Sequence, residues 1–396
     1  MRLSNPLPLF MLMVLFSPLA IDIFLPAIPQ MAQALSVPVA WIQQSLPMFM
    51  LSFGTGQLIA GPLADRYGRR PIGLIGVLLY IITSSIAASA DVYWVLMAAR
   101  LGQGLAASCL SVAAFAGVRD FFGAQRSGAM FSYLNGVICI VPAVAPLLGG
   151  LLTVWWGWES NFWFMAGYGL IMLAALTAML PETRPANTSS EGKLFSWNRY
   201  QAVLTVPVFI FYATLALLGM AMIIGYVTQS PSRLMIDMGL SARDYALWFG
   251  ANAVVNITCA FAAPKLIEKV GKKTALWGSV SVMAVAAVAE YALGSIMHPL
   301  AFMGPVFTAS VGFATMMAVC AGNALAPFGD RAGTASALLG LFQMTGAAIV
   351  VACLAGSQML AVEQLSLMML LPWVWVVVNR MLRGRCMSAE TGNCQV

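Results

Sequence analysis

The chain has 396 residues, 61% of them hydrophobic and only 9% charged. Soluble domains carry roughly 25% charged residues, so this sequence cannot clothe a water-facing surface and soluble classes are excluded. The formal charge of +6 does not point to nucleic acid, because the basic residues form short clusters between apolar runs with no interleaved aromatics.

Apolar runs long enough to span a bilayer, about 20 residues each, lie at 8–28, 41–62, 71–90, 93–118, 127–153 and 158–180. They resume at 203–228, 244–264, 274–294, 299–325, 332–356 and 362–380. Their length predicts helices, since barrel strands would be about half as long and alternating. The fold class is therefore an all-α membrane protein of twelve transmembrane helices.

The first run carries Asp22. A charged Asp at the centre of a spanning helix costs about 2.5–3.5 kcal/mol, so an acid there is expected to bind and release a proton. Pro26 and Pro29 leave open a helix end among lipid headgroups. The run holds no small-x-small cleavage site, so a removable signal peptide is not expected. Between the second and third runs stands Gly61-Pro62-Leu63-Ala64-Asp65-Arg66-Tyr67-Gly68-Arg69-Arg70. Its glycines permit close approach and tight turning, and Asp65 suits a helix N-terminus.

The fourth run holds Arg100, which stays charged and must meet an acceptor or water. Either it acts on Asp22 and the polar core, with Gln103 nearby, or it snorkels to the surface. The fifth run contains Pro142, Pro146, Gly149 and Gly150, read either as a kinked, movable span or as small-residue packing. Polar and aromatic side chains in otherwise apolar runs are candidates for a substrate cavity: Gln103, Asn135, Tyr212, Tyr226, Asn252, Asn256, Asn323 and Gln343. An interhelical hydrogen bond is the competing reading for each. Glu290 is a second intramembrane acid, near one end of its run.

Loop charges alternate. Seventeen of the 20 Lys and Arg fall on one side, two (Arg233 and Arg243) on the other, and Arg100 lies within a run. The positive-inside rule then puts both termini in the cytoplasm. The polar stretch 181–199 (PETRPANTSSEGKLFSWNR) reads as a linker. It divides the chain into a six-helix bundle at 1–180, a cytoplasmic linker at 181–200, and a second bundle with a short tail at 201–396. An internal echo supports the division: Asp65-Arg66-Tyr67-Gly68-Arg69-Arg70 recurs as Glu268-Lys269-Val270-Gly271-Lys272-Lys273, in the equivalent loop of the second half.

The 61–71 loop resembles the loop 2–3 signature of the major facilitator superfamily at every defining position. Arg100-Leu101-Gly102-Gln103-Gly104 is similar to the RxxQG motif of its drug:proton antiporter branch, Ala145-Pro146-Leu147-Leu148-Gly149-Gly150 to that branch's GPxxGG, and Asp22 to Pro26 to the D-x-x-x-P of Bcr/CflA-like exporters. There are departures. Ala145 replaces the first glycine, Val141 stands where an earlier one is expected, and Leu12 to Leu15 hold no acid ahead of Asp22.

The resemblance implies two pseudo-symmetric bundles, a monomer in the inner membrane of a Gram-negative cell, and proton coupling through Asp22 and Arg100. It implies a conformational role for Gly61, Asp65, Arg66, Gly68, Arg69 and Arg70, with Asp65 at the helix starting near Arg331. Arg66 or Arg70 would meet Asp120, in charge links between the halves that hold an outward-open state. The expected function is proton-coupled secondary export of small lipophilic drugs, chloramphenicol-like or cationic, by alternating access. The partners are drugs, protons and the bilayer, with no nucleic acid. No cofactor is expected, the energy source being the proton gradient, since no GxxxxGK[ST] loop appears, and no metal, since the seven cysteines form no CxxC pair or ligand spacing and His298 is the only histidine. The alternative is a proton-coupled transporter of a metabolite such as a nucleoside or sugar. An enzyme is not expected, because no loop is long enough for a catalytic domain.

Overall fold

A computed structural model describes residues 5–184, 197–328, 332–357 and 359–390. Every regular element among them is helical, as a lipid-spanning backbone requires when its polar groups must be satisfied within the segment. Eleven helices are long and apolar enough to cross a membrane. They are α1 (Leu7–Ala34), α3 (Arg69–Ala88), α4 (Tyr93–Gly123), α5 (Met130–Trp156), α6 (Glu159–Met179), α7 (Pro207–Asp237), α8 (Ala242–Val270), α9 (Lys272–Leu293), α10 (Pro299–Leu325), α11 (Thr334–Ala355) and α12 (Ala361–Leu382).

The remaining span of the expected twelve is α2 (Ser45–Tyr67), a continuous helix of 23 residues. At about 1.5 Å per residue it is long enough to cross, but Gly54, Thr55, Gly56, Gln57, Gly61 and Pro62 dilute its apolarity. Gly54 and Gly56 among them serve close packing, Gly56 against Ser108 of α4. A Cβ at Gly104 of α4 would come within 2.3 Å of the Phe49 carbonyl of α2, and one at Gly54 within 2.3 Å of Thr345 of α11.

Helix α1 is longer than the run at 8–28 suggests. Pro26 and Pro29 do not end it; they open a 3-10 turn at Leu25–Ala27 and a further helical stretch, Ile28–Ala34. Single glycines join consecutive helices. Gly68 (φ 106°, ψ 160°) links α2 to α3, and Gly271 (φ 81°, ψ 151°) links α8 to α9. A positive φ with extended ψ reverses the chain in one residue and is barred to residues with a Cβ. The two loops that echo each other in sequence therefore share one backbone conformation.

Helices α1, α2 and α3 pack on α4, and α6 on α3; α9 and α7 pack on α10, and α12 on α7 and α9. The two groups meet along α2 with α11 and α5 with α8. Thr345 Oγ1 donates to the Leu51 carbonyl at 3.0 Å, and Gly250 lies against Ala143. At the end remote from the linker, Gln43 Nε2 donates to the Thr228 carbonyl and to Ser232 Oγ, both at 2.8 Å. Towards the linker end α8 is bare, with Phe261 74% exposed and Ala260, Ala262, Pro264, Lys265 and Leu266 all exposed around it. The halves are thus joined at the distal end, while α8 is largely uncovered towards the linker end.

Candidate functional site

Asp22 lies near the middle of α1, 3% exposed, which removes the headgroup reading. Its neighbour Ile23 sets the geometry. The Ile23 carbonyl presses so closely on Gly149 of α5 that a Cβ there would lie 1.6 Å away. The following 3-10 turn reaches across to α7 and α8, and Asp22 stands within electrostatic reach of Tyr226 and Tyr245 there. No Lys, Arg or His among the described residues pairs with it.

Arg100 is fully buried and does not snorkel. Its Nη1 donates to Gln103 Oε1 at 2.8 Å, its Nη2 to the Ala20 carbonyl at 2.9 Å, and its Nε to the Ser45 carbonyl at 3.4 Å. Gln103 Nε2 in turn donates to Ser84 Oγ at 2.8 Å. Phe24 and Phe49 sandwich the guanidinium at 4.5 and 4.9 Å, a cation–π arrangement strengthened by loss of water. One side chain on α4 thus ties α1, α2 and, through Gln103, α3. It meets Asp22 only indirectly, through the Ala20 carbonyl where α1 gives way to the 3-10 turn.

Across the seam, Asn252 Oδ1 accepts from Ser310 Oγ at 2.9 Å, Asn256 Nδ2 donates to the Asn252 carbonyl at 3.2 Å, and Tyr245 and Ser230 hydroxyls lie 3.3 Å apart. Tyr226 is buried beside Asn252, its ring stacked on Phe249 at 5.6 Å. Of the cavity candidates, Tyr226 and Asn252 therefore cluster opposite Asp22, Asn256 turns back on its own helix one turn further along α8, and half-buried Gln343 sits in the π turn Phe342–Gly346, beside the Thr345 contact. The others do not join them. Gln103 is consumed by Arg100 and Ser84, Asn135 is exposed, Asn323 donates to its own helix at Val319, and Tyr212 packs edge-on to Phe211.

The 61–70 loop is a network within the first half. Arg69, not Arg66 or Arg70, meets Asp120: its Nε lies 2.8 Å from Asp120 Oδ2 and its Nη1 2.7 Å from Asp65 Oδ1. All three belong to α2, α3 and α4, so the expected charge link between halves is instead internal. Position decides the choice, because Arg69 opens α3 just beyond the Gly68 reversal and reaches both carboxylates, while Arg66, still on α2, points outward over Tyr67. Arg70 Nη2 donates to the Thr177 carbonyl at 2.8 Å. Gly68 is required, with positive φ and Glu182 against it, whereas a Cβ at Gly61 would meet nothing. The expected partner of Asp65 near Arg331 lies outside the described residues.

Glu182 escaped the sequence reading. Its carboxylate accepts from the Arg69 and Arg70 amides at 2.9 and 3.2 Å, an anion on the N-terminus of α3. Its signal was present, an acid directly after α6 in the first residues of the stretch read as linker. Pro142 and Pro146 lie within α5. There Gly149 serves close packing, and Gly150 makes only ordinary contact, its nearest neighbour 3.7 Å from a Cβ.

The family profile described as the Major Facilitator Superfamily matches residues 10–351. A Multidrug resistance protein MdtL of Shewanella oneidensis is 33% identical over 341 residues, 86% of this chain and 85% of that protein. One of Escherichia coli O157:H7 is 32% identical over 337 residues, 85% of each. Among solved structures, a D-xylose-proton symporter superposes with TM-score 0.73 at 15% identity, covering 92% of this chain and 95% of that one. A bacterial homologue of the human lysosomal transporter Spinster, inward-facing and unoccupied, gives 0.70 at 16%, covering 95% and 96%. With matched residues running from the first span into the eleventh, and with two joined groups of membrane-spanning helices, this chain is a multi-pass membrane protein that belongs to the Major Facilitator Superfamily.

Proposed function

We propose that the chain is a proton-coupled secondary exporter of small lipophilic drugs, working by alternating access as a monomer in a bacterial inner membrane. Its termini face the cytoplasm, and residues 1–180 and 201–396 move as the two bundles. The observation that carries this reading is Asp22: a buried acid at mid-span, on the seam between the bundles, with no basic partner among the described residues. A carboxyl so placed binds a proton in one state of the seam and loses it in the other. Arg100 holds the break in α1 that presents Asp22, and its positive charge is occupied by carbonyls, Gln103 and aromatic faces. The family excludes neither export nor import; the names of the MdtL relatives favour drug export.

A proton moving inward releases about 2.3 kcal/mol per 100 mV, against about 1.4 kcal/mol for each tenfold gradient. One proton therefore supports accumulation against more than a tenfold difference. No step of this cycle calls for covalent catalysis, and we read the chain as a carrier.

The test is drug-dependent proton movement in inverted vesicles, for wild type and Asp22→Asn. Addition of a phenicol or a lipophilic cation is expected to collapse the pH gradient in wild type and leave it intact in the variant. An unchanged variant would assign the proton to another acid. Silence of both proteins towards every drug, with growth on a metabolite dependent on the chain, would overturn the export reading.

A further inference from the structure

The mechanism above leaves one intramembrane acid unused. Glu290 of α9 is 1% exposed, and neither carboxyl oxygen has a hydrogen-bond partner. A buried ionised carboxylate without partners costs far more than a neutral one, so the arrangement suits a bound proton. On α12, which packs on α9, the Ser366 hydroxyl is also buried and unpartnered. A groove of about 470 Å³ between α9 and α12 runs past Ala287 and Tyr291, on either side of Glu290, with Glu363 and Ser366 on the opposite wall.

Beside Glu290 stands a cation that does not bond to it. Arg233, in the π turn Ser232–Asp237 that ends α7, gives Nη2 to the Gly294 carbonyl at the end of α9 and Nη1 to Asp237 at 3.2 Å. It is nevertheless the one charge acting electrostatically on Glu290 among the described residues. The other ionisable groups at this end of the second half include Tyr291 beside Glu290, Asp237, Glu363 opening α12, His298 ahead of α10, and Arg243, Asp244 and Tyr245 opening α8. Ser232, next to Arg233, is the residue that Gln43 bridges across the distal seam.

We infer that Glu290 is a second proton-binding site, in the C-terminal half, and that Arg233 transmits its occupancy to the distal closure made by Gln43, Thr228 and Ser232. With the acid neutral, Arg233 rests on Gly294 and Asp237 and the π turn holds Ser232 against Gln43. Loss of the proton leaves a carboxylate that draws the guanidinium away, and the turn carries Ser232 with it. Acid pH therefore favours distal closure and alkaline pH distal opening. The inference rests on the alternating-access reading, and on nothing about the cargo.

Two measurements on purified protein without drug test it. The first is infrared difference spectroscopy between acid and alkaline pH, which reads carboxyl protonation. Wild type is expected to show two components, one absent in Glu290→Gln and the other in Asp22→Asn. A Glu290→Gln spectrum identical to wild type would overturn the site. The second is the distance between spin labels at Ala34→Cys and Ile236→Cys, on a background lacking native cysteines. The distance is expected to widen as pH rises in the wild-type background and in Asp22→Asn. In Glu290→Gln and Arg233→Gln it stays fixed, while Arg233→Gln keeps its infrared component. A wild-type distance response in Glu290→Gln would overturn the coupling. Because no substrate is added, failure of drug export leaves these readouts untouched.

Discussion

Gly149 and Gly150 are adjacent small residues with opposite roles. A methyl group at Gly149 would stand 1.6 Å from the Ile23 carbonyl, backbone that has nowhere to go, while one at Gly150 has 3.7 Å of clearance. Overpacking of this kind costs about 1–3 kcal/mol, and here it would displace α1 beside Asp22. Gly149→Ala is expected to lower the thermal unfolding midpoint in detergent and to impair export, and Gly150→Ala to leave both at wild-type values. Equal behaviour of the two would contradict the close approach of α5 to α1. Sequence showed that both glycines were small; only the position of Ile23 separates them. Arg100 is similar. Its permanent charge required acceptors, but that one of them is Ala20, two residues from Asp22, followed from the course of α1.

At the scale of the element, the loop between α2 and α3 depends on Arg69 acting on two carboxylates at once. Asp65 is 65% exposed and Asp120 12%. An exposed pair contributes about 0–1 kcal/mol, and a hydrogen bond to a shielded charge about 1.5–3 kcal/mol. Most of the stabilisation therefore comes from Asp120. Asp120→Asn is expected to lower the unfolding midpoint several times more than Asp65→Asn. Arg69→Lys, which cannot fork to both acids, should approach the Asp120 variant, and Arg66→Lys should be silent. Thermal unfolding of the four proteins measures this, and an Arg66 effect matching that of Arg69 would refute the assignment. The motif was legible in sequence. Which arginine faces inward was not, because Arg66 ends α2 while Arg69 and Arg70 open α3 beyond the Gly68 reversal, and only the packing of those helices on α4 gives each its direction.

For the whole molecule, the decisive surface is the seam. Gly54 of α2 lies so close to α11 that a Cβ would meet Thr345 Oγ1 at 2.3 Å and its backbone nitrogen at 2.8 Å. Gly54→Leu is therefore incompatible with the seam as it stands. The variant is expected to fold, since α2 keeps its packing on α4, yet to lose at least most of its export. Its α2–α11 gap should be labelled more readily by a thiol reagent at an introduced Thr345→Cys. Wild-type transport in Gly54→Leu would show that α2 and α11 need not close.

Composition, run length and loop charge by themselves determined a membrane protein of repeated helices with an acid and an arginine inside it, because lipid tolerates no unsatisfied backbone and few charges. The echo of Gly68 in Gly271 was likewise written in the chain, as a backbone conformation only glycine adopts readily. Tertiary structure alone decided the rest: that α1 continues past Pro26, that Asp22 faces Tyr226 and Tyr245 rather than Arg100, that Asn252 joins the seam while Asn323 turns back on its own helix, and that Glu290 stands beside Arg233 unbonded. A single helix fixes which residues share a face. Which face meets another helix, and at what depth, depends on packing between segments far apart in sequence, and no local pattern encodes it.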